Sequence, residues 1–136
     1  MEEAGIENLG RLSQKETAKL YLQADVLAYP TEFAEIDCIT VKKAQACGTY
    51  PVTTDFGALN ESVLTGTKVH SEKTSKNWCR PNQFHFGLED ETAQEKWVDA
   101  VVEALTTDHD RVAMKEKMNI FAWDKIASRW NKVFNE

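Results

Sequence analysis

The four residues Val26-Leu27-Ala28-Tyr29 carry no polar alternation and are closed by Pro30. That pattern reads as a short strand buried on both faces, the habit of a parallel sheet. The next 24 residues have the spacing of a crossover unit. A helix is predicted from about Cys38 to Cys47, Gly48 is placed as its stop, and Tyr50-Pro51-Val52-Thr53 reads as the next strand. Pro51 is tolerable only near the start of such a strand, since it cannot donate to a ladder. Strand, helix and strand in this order imply a βαβ unit and hence an α/β fold with a parallel sheet and flanking helices.

The flanking segments extend this pattern. Ser13-Gln14-Lys15-Glu16 has the form of a capping box, opening a helix that should turn Ala18, Tyr21 and Leu22 inward and stop near Ala24-Asp25. Gly57 to Val63 reads as a short helix and Lys68-Val69-His70 as a third strand. Residues 71 to 83 read as a polar surface loop, and Phe84 and Phe86 alternate as in a strand. From Glu91 to Leu105, Ala93, Trp97, Val101, Ala104 and Leu105 follow helical spacing. A last helix from about Ala122 to Phe134 aligns Trp123, Ile126, Ala127, Trp130, Val133 and Phe134 in one stripe, a pattern expected of core. With 136 residues and no linker or repeat, residues 1–136 form one domain.

Charge and composition remove several function classes. Sixteen Lys and Arg against 22 Asp and Glu give a formal charge of −6, the wrong sign for a general nucleic-acid or anionic-membrane binder. No apolar run approaches the roughly 20 residues of a membrane span, and the acidic start Met1-Glu2-Glu3 is unlike a secretory signal. Cys38, Cys47 and Cys79 are odd in number and form no CxxC pair, so a reducing cytoplasm is expected and a zinc ribbon is not.

Three motif look-alikes have plainer readings. Asp55-Phe56-Gly57 lacks every companion of the kinase tripeptide and reads as a strand-to-helix turn. Asp108-His109-Asp110 precedes a helix and reads as a cap rather than a metal motif. His70, His85 and His109 show no ligand spacing, so no metal site is expected. Neither GxGxxG nor a P-loop occurs, and no cofactor is expected.

The chemistry-bearing stretch runs from Ala24 to Glu35 (A-D-V-L-A-Y-P-T-E-F-A-E) and continues as Ala44-Gln45-Ala46-Cys47-Gly48-Thr49-Tyr50-Pro51-Val52. A strand ending at Tyr29 delivers the next loop to the carboxyl edge of the sheet, where α/β domains bind ligands. The helix starting near Cys38 aims its unpaired N–H groups and positive dipole end at the same place, which suits a diphosphate. Glu35 can there hydrogen-bond sugar hydroxyls or stabilise positive charge at an anomeric carbon. It can equally be an acid favoured by the helix dipole alone.

These segments resemble the nucleotide-sugar-binding domain of GT-B retaining glycosyltransferases of the group 1 type. There a strand ends in Pro-Ser or Pro-Thr, an acidic loop comes next, and a helix reads like E-A-M-A-x-G-x-P-V. Gly57-Ala58-Leu59-Asn60-Glu61 looks like that family's G-G-x-x-E turn, and Phe121 to Trp130 like its closing F-s-W-e-x-v-A-x-x-W helix. The likeness covers roughly residues 7 to 134 and is strongest between 24 and 63. It implies a Rossmann-like sheet, the second half of a GT-B C-terminal domain, and a nucleotide-diphosphate sugar as ligand. Catalysis falls to Glu35, and donor binding to Thr31, Cys38, Ile39, Lys43, Thr54, Gly57 and Glu61.

One departure stands out. The family brackets this helix with E-x7-E, and here Lys43 holds the second position. A lysine accepts no hydrogen bond from ribose; it can meet a phosphate, pair with Glu35, or lie solvated on its helix. Glu61 can then cap its turn or touch ribose, and Trp78 and Arg80 can fold over a bound base or, more plainly, lie in a loop that meets no ligand. The acceptor domain and the family's diphosphate clamp have no counterpart in the sequence.

Two functions therefore stay open. One is the donor-binding portion of a glycosyltransferase, inactive alone and weak in donor affinity. The other is a noncatalytic module for assembly or partner binding. The strand Val26–Tyr29 lies centrally in the family, and here it lacks one neighbour. With the Trp123 and Trp130 helix it leads to the expectation of a homodimer.

Overall fold

In a computed structural model, which describes residues 5–31, 33–70 and 91–135, the chain is an α/β protein. Three parallel strands lie in the order β1 (Val26–Tyr29), β2 (Tyr50–Thr54), β3 (Thr67–Val69). Val26 pairs with Tyr50 and Tyr29 with Thr53; Val52 pairs with Thr67 and Thr54 with Val69. The helices among the described residues are α1 (Gln14–Gln23), α2 (Ile39–Ala46), α3 (Leu59–Ser62), α4 (Glu91–Thr106), α5 (Arg111–Met118) and α6 (Trp123–Phe134). This arrangement is compatible with a Rossmann-like fold. Among the described residues no helix is long and apolar enough to cross a membrane. The expected loop over 71 to 83, with Trp78, Cys79 and Arg80, and the Phe84–Phe86 segment with His85 lie outside the described residues.

Local chemistry accounts for the helix ends. The Ser13 hydroxyl accepts the Glu16 N–H, and the Glu16 carboxylate accepts the Ser13 N–H at 2.8 Å, so both halves of the capping box form. The carbonyls of Tyr21 and Leu22 at the other end of α1 accept from Thr49 and from Arg111, the latter at 2.9 Å. These bonds set the rotation of α1 so that Thr17, Leu20, Tyr21 and Ala24 are half-buried. The expected inward set is thereby corrected: Ala18 is exposed, and Leu22 is 55% exposed. Gly48 ends α2 at φ +84°, and a Cβ there would stand 2.9 Å from Lys115 Cε. Asp110 caps α5 by accepting from Val112 and Ala113, while His109 stacks on Tyr50 with ring centroids 3.7 Å apart. Asp55-Phe56-Gly57 is the turn between β2 and α3.

The core lies on both faces of the sheet. On one, Cys38, Val41, Leu59 and Val63 pack with Leu27 and Tyr29; on the other, Val52, Val69, Ala100 and Ala104 pack with Val26, Tyr50, Trp97 and Val101. The strand buried on both faces is β2, whose residues Pro51 to Thr54 are all buried. Among the described residues β1 is an edge strand: Val26, Leu27 and Tyr29 are half-buried and Ala28 is exposed, contrary to the reading of its apolar run. An apolar run records that a strand is covered, but not how far the covering helices extend over it. Leu105 likewise points outward, because α4 buries its alanine line and not the apolar line beside it. The α6 stripe is not core either: none of its residues is buried.

Candidate functional site at the carboxyl edge of the sheet

β1 and β2 end side by side, and their exit loops are laced together. Past Tyr29, the Thr31 N–H donates to Tyr29 O at 3.1 Å and Thr31 Oγ1 accepts the Phe33 N–H at 3.1 Å, a hydroxyl-stabilised turn. The Thr54 hydroxyl at the end of β2 donates to Thr31 O. Both threonines are buried, so their side chains build the rim from within.

Glu35 sits where the loops meet. Its N–H donates to Phe33 O at 2.9 Å, and its carbonyl accepts the Ala58 N–H at 2.9 Å from the turn after β2. Gly57 makes the approach possible. It has φ +57°, and a Cβ on it would lie 3.0 Å from Glu35 O and 3.1 Å from Glu35 N. The Glu35 carboxylate accepts the Tyr29 hydroxyl at 2.8 Å through Oε1; among the described residues Oε2 has no partner. Burial, and then the hydrogen bond to Glu35, push the Tyr29 pKa well up, so the phenol stays a donor at neutral pH.

The remaining candidates divide. Cys38 is the N-cap residue of α2, but its side chain is 2% exposed within the core, and burial raises its pKa. It offers a ligand only backbone. Ile39 is exposed at the first turn of α2, and Glu61 is exposed on α3. Lys43 is exposed and donates to Gln14 Oε1 on α1 at 2.5 Å, while Glu35 is held by Tyr29. The Glu35–Lys43 pairing therefore does not form.

Three contacts escaped the sequence. The Tyr29–Glu35 bond joins residues six apart, and only the structure fixes the turn between them. Asp55 Oδ2 lies 2.7 Å from His70 Nδ1, bringing together the ends of β2 and β3. Gln45, fully buried, donates to Val41 O and Ser62 O and accepts from the N–H groups of Leu64 and Thr65. A glutamine between two alanines on a short helix was the available signal for such a buried clasp.

The geometry thus presents a half-buried carboxylate, fixed by a phenol and a glycine turn, beside the start of a helix. It can accept hydroxyl groups or stabilise a nearby positive charge. Comparison of the chain with family models, with curated proteins and with solved structures finds no match to any of them.

Proposed function

We propose that this edge is the donor side of glycosyl transfer from a nucleotide-diphosphate sugar, and that the chain is the donor-binding portion of a retaining glycosyltransferase. The observation that carries the reading is the meeting of Glu35 with the Gly57-Ala58 turn at the carboxyl ends of β1 and β2. That is where the resemblance requires an acid and a glycine turn to converge. In this reading the α2 start faces the diphosphate with backbone N–H groups, since Cys38 is buried. Ile39 lines the approach, Glu61 takes the ribose in place of Lys43, and Glu35 Oε2 faces the sugar. Its carboxylate stabilises the charge that develops at the anomeric carbon as the leaving diphosphate departs. The chain acts in the cytoplasm, in keeping with the buried, unpaired thiol of Cys38.

A second reading, a noncatalytic module for assembly, is favoured by one observation. The side chains of Thr31, Cys38 and Thr54 are buried and Lys43 bonds Gln14, so few polar side chains remain to grip a donor.

Incubation with a panel of nucleotide sugars tests the proposal. The donor reading expects weak binding and no turnover by the chain alone, because an acceptor side and a diphosphate clamp are needed for transfer. Turnover well above the uncatalysed rate contradicts it, and a complete lack of binding leaves the noncatalytic module.

A further inference from the structure

Two exposed apolar faces of this chain carry opposite charge. The first is a groove of about 870 Å³ between α2, α5 and α6. Its apolar surface comes from Ile39, Met118, Phe121, Trp123 and Ile126, and three lysines, Lys42, Lys43 and Lys115, stand against two acids, Asp37 and Glu116. The groove runs on into the α6 stripe, where Trp123 is 83%, Trp130 55% and Phe134 76% exposed. At roughly 150–250 Å² per aromatic side chain, these three alone leave about 450 Å² uncovered. That is the size of the largest patch on a typical soluble monomer, which is often an interaction site.

The second face is on α4. While Ala93, Ala100 and Ala104 turn to the sheet, Val98, Val102 and Leu105 are each more than half exposed. They continue the line of Glu91 and Glu95 at helical spacing, with Asp99 beside it. One face is therefore an apolar groove with excess positive charge, within a chain of net charge −6. The other is an apolar helix ridge with acids along it. Lys42 is paired with Asp37 and lies 4.4 Å over the Phe121 ring, which leaves Lys43 and Lys115 as the cations nearest an incoming acid.

We propose that the groove takes the α4 ridge of a second copy, and that the two copies do this reciprocally about a two-fold axis. Apolar burial supplies the attraction, and the lysine–carboxylate complementarity sets orientation and partner. A reciprocal pair of contacts needs only about 800 Å² each to reach the roughly 1,600 Å² of a standard stable interface. Both faces are exposed in the single chain, so pairing requires no refolding. The groove shares Ile39 and Lys43 with the donor reading but not the Glu35–Gly57 turn, and the substitutions below lie at positions that reading does not use.

The test is sedimentation equilibrium of the full chain, wild type and variants. Wild type is expected to be a dimer at tens of micromolar. Val102→Lys on α4 and Trp123→Glu at the groove should each weaken dimerisation at least tenfold with unchanged far-ultraviolet circular dichroism. Val98→Lys repeats the α4 test at an independent exposed position if Val102→Lys fails to fold. A monomeric wild type overturns the proposal. So does a dimer indifferent to these substitutions, which is the result expected of pairing through strand β1.

Discussion

The hydroxyl of Tyr29, the last residue of β1, donates to Glu35 Oε1 across 2.8 Å, so the strand itself positions the carboxylate at the carboxyl edge. Tyr29 has its pKa raised above the ordinary 10.0, by burial first and by Glu35 second. The folded state therefore holds the phenolic proton more tightly than the unfolded chain. The stability this contributes is complete below about pH 10 and is lost as pH climbs through the raised value. Tyr29→Phe should cost about 1 kcal/mol at neutral pH for the lost hydrogen bond. It should also flatten the alkaline limb of a plot of unfolding free energy against pH, without abolishing it, because Cys38 and Tyr21 are raised too. An unchanged alkaline slope would show that the tyrosine is not held as described.

Gly57→Ala should destabilise the chain by about 2 kcal/mol, from the left-handed conformation at φ +57° and the backbone of Glu35 only 3.0 Å from the new carbon. Urea unfolding measures it through the midpoint, with the slope unchanged. A loss below a few tenths of a kcal/mol would mean that the two edge loops are not in contact.

Gln45→Ala should be the more damaging change. It removes acceptance from the N–H groups of Leu64 at 2.9 Å and Thr65 at 3.0 Å and donation to Ser62 O at 2.8 Å, in a fully buried site. The expected cost is about 3 kcal/mol. Gln45→Glu should cost nearly as much, since a carboxylate has no N–H for the carbonyls of Val41 and Ser62. If denaturant unfolding finds Gln45→Glu neutral, the amide is not the clasp between α2 and the residues just past α3.

In an enzyme that contains this domain together with its acceptor side, Glu35→Gln should lower kcat far more than it raises KM. A carboxylate that stabilises developing positive charge acts in the transition state rather than in the ground state. Equal changes in both parameters, or a fall in Tm alone, would make Glu35 a structural residue.

The order of elements was legible because its signals are local. The Ser13–Glu16 box, the Gly48 stop and the Asp110 cap are short-range devices, and each stands where its spacing put it. The exposure of elements was not. Leu22 points outward because Thr49 and Arg111, far along the chain, take the last carbonyls of α1. Val26 to Tyr29 and the Trp123 to Phe134 stripe are as apolar as any core segment, yet among the described residues one is a sheet edge and the other lies exposed. At the site, Glu35 and Gly57 could be singled out by residue type and order. That Thr31, Cys38 and Thr54 turn inward depends on packing that no spacing records.

The proposed nucleotide-diphosphate site is tested most directly by backbone amide chemical shifts during titration with UDP and GDP. Affinity is expected to be weak, with a dissociation constant of about millimolar, near −4 kcal/mol. The shifts should gather on Glu35, Cys38, Ile39, Gly57 and Glu61, at the carboxyl ends of β1 and β2. Shifts confined to the opposite edge, around Asp25, Thr49 and Gly66, or no shifts at millimolar nucleotide, would contradict the donor-site reading.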